Sequence, residues 1–263
     1  MKTRFLLAGL AVCASVAARA AVPLTESTFT EIIKEANVVA AATKAVTPAV
    51  THEIFKAPDL VRTGPDSRLE MTAPDKTITR IGENSVFTFE SGQRDIRLEK
   101  GSVLFHPPSG VGGGTIKYGG TAAAVLGTTM LCAVLPDGSF KIIILEGEGT
   151  VTLANGKSVQ LDAGQMVIVP PDGNSLGPVE NVNLARLVPH LLLARGFSDP
   201  LSSMPLIDAA IQLQNEQIAA GQDFHFVSEE MAGDGLELIL DHFSDVLLLN
   251  TLDHTTLFIS PVR

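Results

Sequence analysis

Tryptophan is absent from this sequence of 263 residues, and only one tyrosine, Tyr118, is present. Carbohydrate-binding platforms use several exposed aromatic rings, so this composition argues against one. Basic residues are also few: 19 lysines and arginines stand against 29 acidic residues, which gives a formal net charge of −10. An acidic chain without a basic cluster repels phosphate backbones, and we therefore expect no nucleic-acid partner.

The first twenty residues, MKTRFLLAGLAVCASVAARA, are typical of a secretory signal peptide. Two basic residues precede an apolar run over 5–17, and the segment ends in the small-x-small pattern Ala-Arg-Ala. We predict that residues 1–20 are cleaved off between Ala20 and Ala21, and we expect the mature chain in the periplasm or outside the cell. An uncleaved membrane anchor is the alternative, but the apolar run is too short to span a bilayer.

Cleavage would remove one of the two cysteines, Cys13, and leave Cys132 in the apolar run TMLCAVLP. A mature chain with one cysteine has no intrachain disulfide, and we interpret Cys132 as a small buried hydrophobe. Cleavage would also remove three basic residues, so 16 basic and 29 acidic residues would remain, a charge of about −13. The later apolar stretch 236–249 is interrupted by two aspartates and a histidine, so we expect no transmembrane segment.

Residues 37–172 read as short β-strands separated by turns. Runs such as SVFTF (85–89), IRLEKGSVLFH (96–106) and FKIIILEG (140–147) are rich in β-branched residues, and several alternate apolar with polar positions. Turn signals such as Asn155-Gly156 recur roughly every eight to twelve residues. This spacing predicts an all-β sandwich, barrel or short solenoid.

The pattern changes after a linker rich in glycine and proline at 173–181. Residues 181–196, NVNLARLVPHLLLARG, carry leucines at helical spacing, and Pro189 should bend or restart that helix. A second helix follows, with Ser203 as a candidate cap, Pro205 in its first turn and Gly221 at its end. We expect these helices to cover one face of the β-domain, within a mixed, partly helical region at 182–263.

The stretch EGEGTVTLANGKSVQLDAGQMVIVPPDG, 146–173, looks like one turn of a cupin, a small β-barrel that often carries a metal. A cupin site needs imidazoles and a carboxylate from neighbouring strands. Glu146 and Glu148 are present, but no histidine lies on either side of the hairpin, and His106 and His190 are distant in sequence. We therefore expect no metal and no cofactor.

Two short motifs could be read as catalytic. GNSLG at 173–177 matches the nucleophile-elbow pattern around Ser175, but prolines flank it and no strand runs straight into it. PSGVGGGTIKYGG at 108–120 lacks the Gly-Lys-Ser/Thr ending of a phosphate loop, and a strand follows it. We interpret the first as a linker and the second as an exposed loop. The candidates for partner contact in and beside that loop are Gly112, Gly113, Gly114 and Tyr118.

An ordered series of short pieces resembles the FecR domain, the periplasmic module of iron-uptake signalling regulators. The pieces are TGPDSRLEM (63–71), IGENS (81–85), IRLEKGSVLF (96–105), VLGTT (125–129) and LEGEGTVTLANGKSVQLDAGQMV (145–167). The pattern positions, which the resemblance implies are structural, are Thr63, Ser67, Arg68, Gly82, Asn84, Ser85, Gly101, Gly127, Thr128, Glu146, Gly147, Gly164 and Gln165. Together they extend over about half of the chain.

This resemblance implies a mainly β domain at 37–172, either a FecR-like β-sandwich or a short β-solenoid, with a lead-in segment at 21–36 and a helical C-terminal extension. Studied FecR proteins relay a signal from an outer-membrane transporter to a cytoplasmic sigma factor, through a cytoplasmic anti-sigma segment and one membrane helix. Here a predicted signal peptide stands in place of both. What the resemblance implies is the module itself, a secreted, non-enzymatic envelope domain for protein interaction or signal sensing.

The expected partner is an unidentified envelope protein, bound through strand edges, the glycine loop or the helical tail. Two alternatives stay open. The chain could be a structural envelope or matrix protein that associates with itself, or a divergent cupin-like or Ser175-dependent enzyme. No group of residues in the sequence meets the requirements for catalysis, so we predict that the chain is not an enzyme.

Overall fold

The computed structural model describes residues 22–233 and 235–236; the predicted signal peptide, its cleavage site and residues 237–249 of the apolar stretch lie outside the described residues. The structure is mainly β: 42% of the described residues are in strands and 15% are in helices. The strands are β1 (Glu26–Ile33), β2 (Ala36–Val39), β3 (Val46–Pro48), β4 (Ile54–Lys56), β5 (Leu60–Thr63), β6 (Arg68–Thr72), β7 (Ile78–Ile81), β8 (Val86–Phe89), β9 (Asp95–His106), β10 (Gly114–Tyr118), β11 (Thr121–Val125), β12 (Thr129–Val134), β13 (Phe140–Glu146), β14 (Glu148–Leu153), β15 (Ser158–Asp162), β16 (Gln165–Val169) and β17 (Glu180–Asn181).

These strands form two sheets that share one long strand, β9. Sheet A has the order β4-β1-β6-β7-β9-β12-β13-β16-β17. Sheet B has the order β3-β2-β5-β8-β9-β10-β11-β14-β15. Every named pair is antiparallel except β9–β10, which is parallel. Beyond β9, hairpins of sheet B and sheet A alternate along the chain. Each sheet therefore contains strands from the whole length of this segment.

The shared strand changes sheets at Gly101. Its first half pairs with β8 and β10, and its second half pairs with β7 and β12. Gly101 has a φ of +83°, a conformation that glycine adopts without steric cost. A Cβ atom at this position would lie 2.0 Å from Ser85 Oγ. The strand can therefore cross between the sheets only where it carries no side chain.

The main core lies between the two sheets and is built from side chains that alternate along the strands. Its most aromatic part is a cluster of Phe29, Phe55, Phe87 and Phe89, in which the centroids of contacting rings are 5.1–6.3 Å apart. Each ring is at most 2% exposed, and burying a side chain of this size stabilises the fold by about 2–3 kcal/mol. This core makes the fold a sandwich, which is one of the predicted architectures, and the strand content confirms the mainly β class.

Short helices cover the outer face of sheet A, as the leucine spacing predicts. They are α1 (Leu184–Leu187), a 3₁₀ turn (Val188–His190), α2 (Leu192–Arg195), α3 (Met204–Ala219) and α4 (Glu229–Gly233). The break between α1 and α2 contains Pro189, and Leu187 and Ile207 pack into a second core against outward side chains of sheet A such as Leu131. None of the helices within the described residues is long and apolar enough to cross a membrane.

The sandwich extends beyond the segment that sequence spacing delimits. The lead-in segment 21–36 contains β1, which pairs with both β4 and β6 in sheet A. The linker 173–181 ends in β17, which pairs with β16. Both strands join the sheet through pairing that is distant in sequence, and β17 is only two residues long, too short to carry a local signal.

Candidate interaction site

The outer face of sheet B is open to solvent over five neighbouring strands. Strand register aligns its outward side chains into two rows, Asp95–Thr115–Ala124–Thr150–Gln160 and Arg97–Lys117–Ala122–Thr152–Ser158. Alanine occupies the middle of each row, on β11, and longer side chains flank it on both sides. The result is a trough that follows β11.

A cleft of about 570 Å³ occupies this trough. Thr115, Ala124, Glu148 and Thr150 line its floor and walls, and Leu126 lies at its rim. Leu126 is 81% exposed, the highest value among the large exposed hydrophobic side chains of the described residues. The cleft therefore combines polar side chains with one exposed apolar side chain, and it is our candidate for a partner-binding site.

The predicted glycine loop borders this cleft. Gly112 and Gly114 are among its lining residues, and Gly113 lies between them with a φ of +68°. The loop is held from below by Arg94, whose Nε donates a hydrogen bond of 2.5 Å to the carbonyl of Gly113. The sheet therefore fixes the position of a loop whose composition alone would suggest mobility.

Arg94 is 7% exposed and all of its guanidinium nitrogens have partners. Nη1 lies 2.5 Å from Asp75 Oδ2 and 2.8 Å from the carbonyl of Val22, and Nη2 donates to Thr77 Oγ1 at 2.8 Å. One side chain thus connects the start of the described chain, the β6–β7 turn and the glycine loop. We regard Arg94 as a positioning residue for the cleft.

Tyr118, the remaining predicted contact residue, lies elsewhere. It ends β10, half-buried, and its ring packs on Phe140 with a centroid distance of 5.4 Å. It is not one of the residues that line the cleft. The structure therefore brings Gly112, Gly113 and Gly114 to the cleft but places Tyr118 against the core.

Acidic side chains lie along one side of the cleft. The one lysine of its two rows, Lys117, lies 2.5 Å from Asp95 Oδ2 and 2.9 Å from Glu90 Oε2, and hydrogen bonds to Asp95 and Glu90 raise the pKa of Lys117. Glu148 accepts a hydrogen bond of 2.6 Å from Gln160 and stands opposite Asp162 across the β14–β15 pair. The rim of the cleft along β14 and β15 is therefore negative.

The residues of the FecR pattern form hydrogen-bonded latches at the turns. In the first latch, the Thr63 hydroxyl donates to the carbonyl of Gly82 at 2.5 Å and accepts from the amide of Ser85 at 2.9 Å. Ser85 Oγ in turn accepts from the amide of Ser102 at 3.0 Å, beside Gly101. This chain of bonds holds the point at which β9 changes sheets.

A second latch repeats the same arrangement farther along the chain. The Thr128 hydroxyl donates to the carbonyl of Glu148 at 2.8 Å and accepts from its amide at 3.2 Å. Gly127 and Gly147 flank the latch with φ angles of +73° and +75°, and a Cβ at Gly147 would lie 2.6 Å from Thr128 Oγ1. The second latch therefore requires both the hydroxyl of Thr128 and a glycine at position 147.

The other pattern residues also lie at strand ends and turns. Ser67 Oγ accepts from the amide of Glu35 at 3.1 Å, and Gln165 Oε1 accepts from the amide of Asp162 at 2.9 Å. The remaining positions are Arg68 at the start of β6, Asn84 with a φ of +49°, Glu146 at the end of β13 and Gly164 with a φ of +78°. Their contacts are with the fold itself.

A buried polar cluster under α3 brings together residues that are distant in sequence. Thr129 Oγ1 lies 2.7 Å from Glu146 Oε1, 2.7 Å from Ser203 Oγ and 3.1 Å from His106 Nδ1. A hydroxyl has one proton and two lone pairs, so Thr129 can donate to Glu146 and accept from Ser203 and His106. Ser203 does precede α3, as predicted, but its side chain makes no capping bond, because Thr129 engages it instead.

Burial governs the protonation of this cluster. It lowers the pKa of His106 and raises the pKa of Glu146, because both charged forms lose hydration. His106 Nδ1 lies 3.7 Å from Glu146 Oε1, so the structure brings together the imidazole and the carboxylate that sequence spacing separates. Across the described part of the chain, no group of three or more His, Cys, Asp or Glu residues could hold a metal ion.

Two further buried cations connect sheet A to its helical cover. Arg80 is completely buried, pairs with Glu70 at 2.7 Å and donates to the carbonyls of Leu193, Ala194 and Asp199. Lys141 donates to the carbonyl of Met231 at 2.6 Å. The helices are therefore fixed by specific polar contacts as well as by the apolar core beneath them.

Ser175 lies in an exposed segment without helix or strand. β16 ends at Val169, and the next helix, α1, begins at Leu184. A nucleophile elbow needs a strand immediately before the serine and a helix immediately after it. This local geometry does not provide that arrangement.

Comparison with known proteins finds a match for part of the β-domain. Residues 59–148 match the model of a family described as FecR protein, a range that runs from the start of β5 into β14. Residues 59–148 are therefore similar to a FecR domain, which confirms the resemblance carried by the ordered pattern residues. No curated protein matches the chain.

Among solved structures, two crystal structures of a provisionally assigned anti-sigma factor from Parabacteroides distasonis are similar to this chain. The one at 1.65 Å resolution is 16% identical with a TM-score of 0.41, and the match covers 46% of this chain and 59% of that protein. The one at 2.50 Å is 14% identical with a TM-score of 0.40, and the match covers 68% of this chain and 97% of that protein. The present chain thus spans less than two thirds of the first of these structures.

Proposed function

We propose that this chain is a non-enzymatic FecR-domain protein of the bacterial cell envelope, exported by its N-terminal segment, that binds another envelope protein as part of signal sensing. The observation that carries the proposal is the cleft on sheet B, with Leu126 exposed at its rim and the glycine loop anchored beside it. It lies within and next to the segment that matches the FecR family. The acidic rim at Glu148 favours a partner that brings a basic side chain to that position.

The physical basis for binding is a rigid, pre-formed surface. The floor of the cleft is made of paired β-strands, so little conformational entropy is lost when a partner docks. Leu126 offers an apolar anchor, and Thr115 and Thr150 offer hydroxyl groups that can donate or accept hydrogen bonds. Such a site recognises a complementary protein surface without chemistry of its own.

The test uses a photo-reactive amino acid at Thr150, inside the cleft, in cells that export the protein. We expect a reproducible cross-link to one envelope protein and a loss of about tenfold in its yield when Leu126→Asp is added. Val46→Asp is the matched control, because Val46 is also an exposed hydrophobe, at 59%, but lies on β3 at the far edge of sheet B. Equal cross-linking with and without Leu126→Asp would contradict the proposal.

An enzymatic role is the alternative, and two measurements test it. A cupin-like activity would require a bound transition metal in the native protein, and a hydrolase activity would require Ser175. Metal analysis of protein purified from its own envelope fraction addresses the first. A Ser175→Ala variant with unchanged cellular function removes the second.

A further inference from the structure

A second cleft, of about 530 Å³, lies at the point where the described chain ends. Asn84 reaches it from the turn between β7 and β8, Lys100 and Gly101 from β9, and Leu135 from the end of β12. Leu236, the last described residue, completes the wall. We call this the crossover cleft, because β9 changes sheets at Gly101. The lining residues described for it all differ from those of the cleft on sheet B.

Gly235 leads the chain into the crossover cleft. It has a φ of +73°, and a Cβ atom there would lie 2.5 Å from Leu135 Cδ2 and 3.4 Å from Ala133 Cβ, so the backbone passes directly over this end of sheet A. Leu236 then packs against the second core as it enters the cleft. Consecutive Cα atoms are 3.8 Å apart, so the second residue after Leu236 begins no more than about 8 Å from it.

The amino acids that follow are ones that such a cleft would bury. The sequence continues for 27 residues beyond Leu236, and Leu-Ile-Leu at 238–240 lies almost at its start. The cleft offers Val134 and Leu135 as apolar wall residues. Removing large aliphatic side chains from water is a major stabilising contribution, so three of them in a row favour the nearest apolar surface.

The charges of the cleft and of the segment are complementary. Lys100 is exposed at the rim, and its side chain has no ion-pair or hydrogen-bond partner within residues 22–233 and 235–236. Glu83, the acidic residue of the wall, accepts a hydrogen bond from the amide of Asp66. Residues 237–263 contain four acidic residues and one arginine, and the first two acids are Glu237 and Asp241. An acidic side chain that enters the cleft therefore meets a free lysine.

We propose that residues 237–243 of this same chain occupy the crossover cleft, with their apolar side chains against Val134 and Leu135 and an acidic side chain beside Lys100. A covalently connected segment has a high effective concentration at its site, which favours it over a free peptide. The bound segment fastens the helical cover of sheet A to the crossing of β9. A molecule that withdrew the segment would uncover the FecR-pattern residues Asn84 and Gly101.

Cross-linking within the purified full chain identifies the occupant. A photo-reactive phenylalanine replaces Pro136, an exposed residue of the cleft wall, and the cross-linked peptides are located by mass spectrometry. In dilute solution we expect cross-links within one chain to residues 237–243. The matched control carries the same probe at Val50, which is 50% exposed and lies between the edge strands β3 and β4. It should give no cross-link to this segment.

Proteolysis measures how firmly the segment is held. Chymotrypsin can cleave after Phe243 only when the surrounding residues leave the cleft, so we expect cleavage there at least about tenfold slower than in a synthetic peptide of residues 237–249. Lys100→Glu should raise the rate about two- to fivefold. Arg97→Glu is its control, because Arg97 is also exposed on β9 but does not line the crossover cleft. It should leave the rate within about 1.5-fold.

An apolar substitution in the segment tests the other half of the contact. Leu238→Asp should raise the rate of cleavage after Phe243 about tenfold, because an ionised side chain cannot be buried against Val134 and Leu135 without a large loss. Leu257→Asp makes the same change farther along the sequence and should leave the rate within about twofold. Circular dichroism of all variants confirms that the β-domain stays folded.

Three results would overturn this inference. The first is a probe at Pro136 that cross-links to the segment no more than the probe at Val50 does. The second is cleavage after Phe243 as fast in the chain as in the synthetic peptide. The third is a cross-link that joins two chains, which would assign the crossover cleft to the segment of a second copy. All of these measurements use the purified chain alone, so their failure is separate from failure of the test at Thr150 and Leu126.

Discussion

A Cβ atom at Gly101 would stand 2.0 Å from Oγ and 2.6 Å from Cα of Ser85. Because one of these contacts is with the main chain, no rotation of the serine relieves it. The FecR-pattern residues Gly101 and Ser85 thus lie against each other at the point where β9 crosses between the sheets, and the crossing depends on both.

This contact predicts a large loss of stability for Gly101→Ala. The substitution combines the strain of a positive φ with a clash against backbone, and we expect about 3 kcal/mol or more. The matched control is Gly92→Ala: Gly92 has a similar φ of +78°, but a Cβ there has no neighbour within 4 Å. It should cost only about 1 kcal/mol. Urea unfolding of both variants measures the difference, and equal losses would contradict the role of the clash.

From the contacts of Arg94, we predict that its loss lowers the stability of the fold and also loosens the glycine loop. Arg94→Met removes every hydrogen bond of the guanidinium group and leaves Asp75 and the carbonyl of Gly113 without it. We expect a loss of about 2–4 kcal/mol and faster amide exchange at Gly112 and Gly113. The control is Arg97→Met: Arg97 is exposed and lies three residues farther on, in β9, and its loss should change stability by less than about 0.5 kcal/mol. Hydrogen exchange that leaves the loop unchanged would show that other contacts hold it.

The ion pair between Arg94 and Asp75 predicts that the folded state loses stability in acid. Burial acts to raise the pKa of Asp75, but hydrogen bonds from Thr77 and Arg94 outweigh it, so the pKa lies below its usual value of 3.8. Asp75 therefore contributes stability above that pH, and the contribution is lost as the pH falls through the lower, folded-state pKa. Unfolding measured between pH 5 and pH 2 should show a shallower acid decline in Arg94→Met than in the natural protein.

We expect the ionisation of His106 and of Glu146, which lie in one buried cluster, to affect the stability of the fold in opposite ways as the pH changes. Burial lowers the pKa of His106, so its protonation destabilises the fold as the pH falls below 6.5. Burial raises the pKa of Glu146, so its ionisation removes stability as the pH rises above 4.5. Between pH 7 and pH 5, His106→Gln should lose less stability than the natural protein, and Glu146→Gln should lose more. Thermal unfolding at the two pH values checks both signs, and a change of the same sign in both variants would contradict this assignment.

Labelling of the Cys132 thiol can report global unfolding. The thiol is completely buried between the sheets, and burial raises its pKa well above 9.0. We expect no alkylation of Cys132 in the native protein on the timescale that labels a free thiol, because the thiolate is the reactive form. In Gly101→Ala the labelling rate should rise by about tenfold for each 1.4 kcal/mol of lost stability. Rapid labelling of the natural protein at full stability would contradict the burial.

Several features are evident in the sequence because short-range chemistry specifies them. The β-branched runs, Asn155-Gly156 and the glycines of the FecR pattern act within a few residues of their own positions, and they predict the mainly β domain correctly. Pro189 predicts the break between two helices for the same reason. The placement of Gly112 and Gly114 beside a cleft, in contrast, depends on Arg94, and nothing near either glycine in the sequence indicates that arginine.

The sequence by itself determined the fold class, the order of strands and helices, and the turn residues that only glycine can occupy, since these follow from local conformational preference and from the spacing of apolar side chains. Only the tertiary structure decided that β9 belongs to both sheets, that Thr129 joins His106 to Glu146 and Ser203, and that β15 remains an open edge. Each of these depends on which distant strands pair and in which register, and strand pairing is set by the burial of the whole core rather than by any one segment.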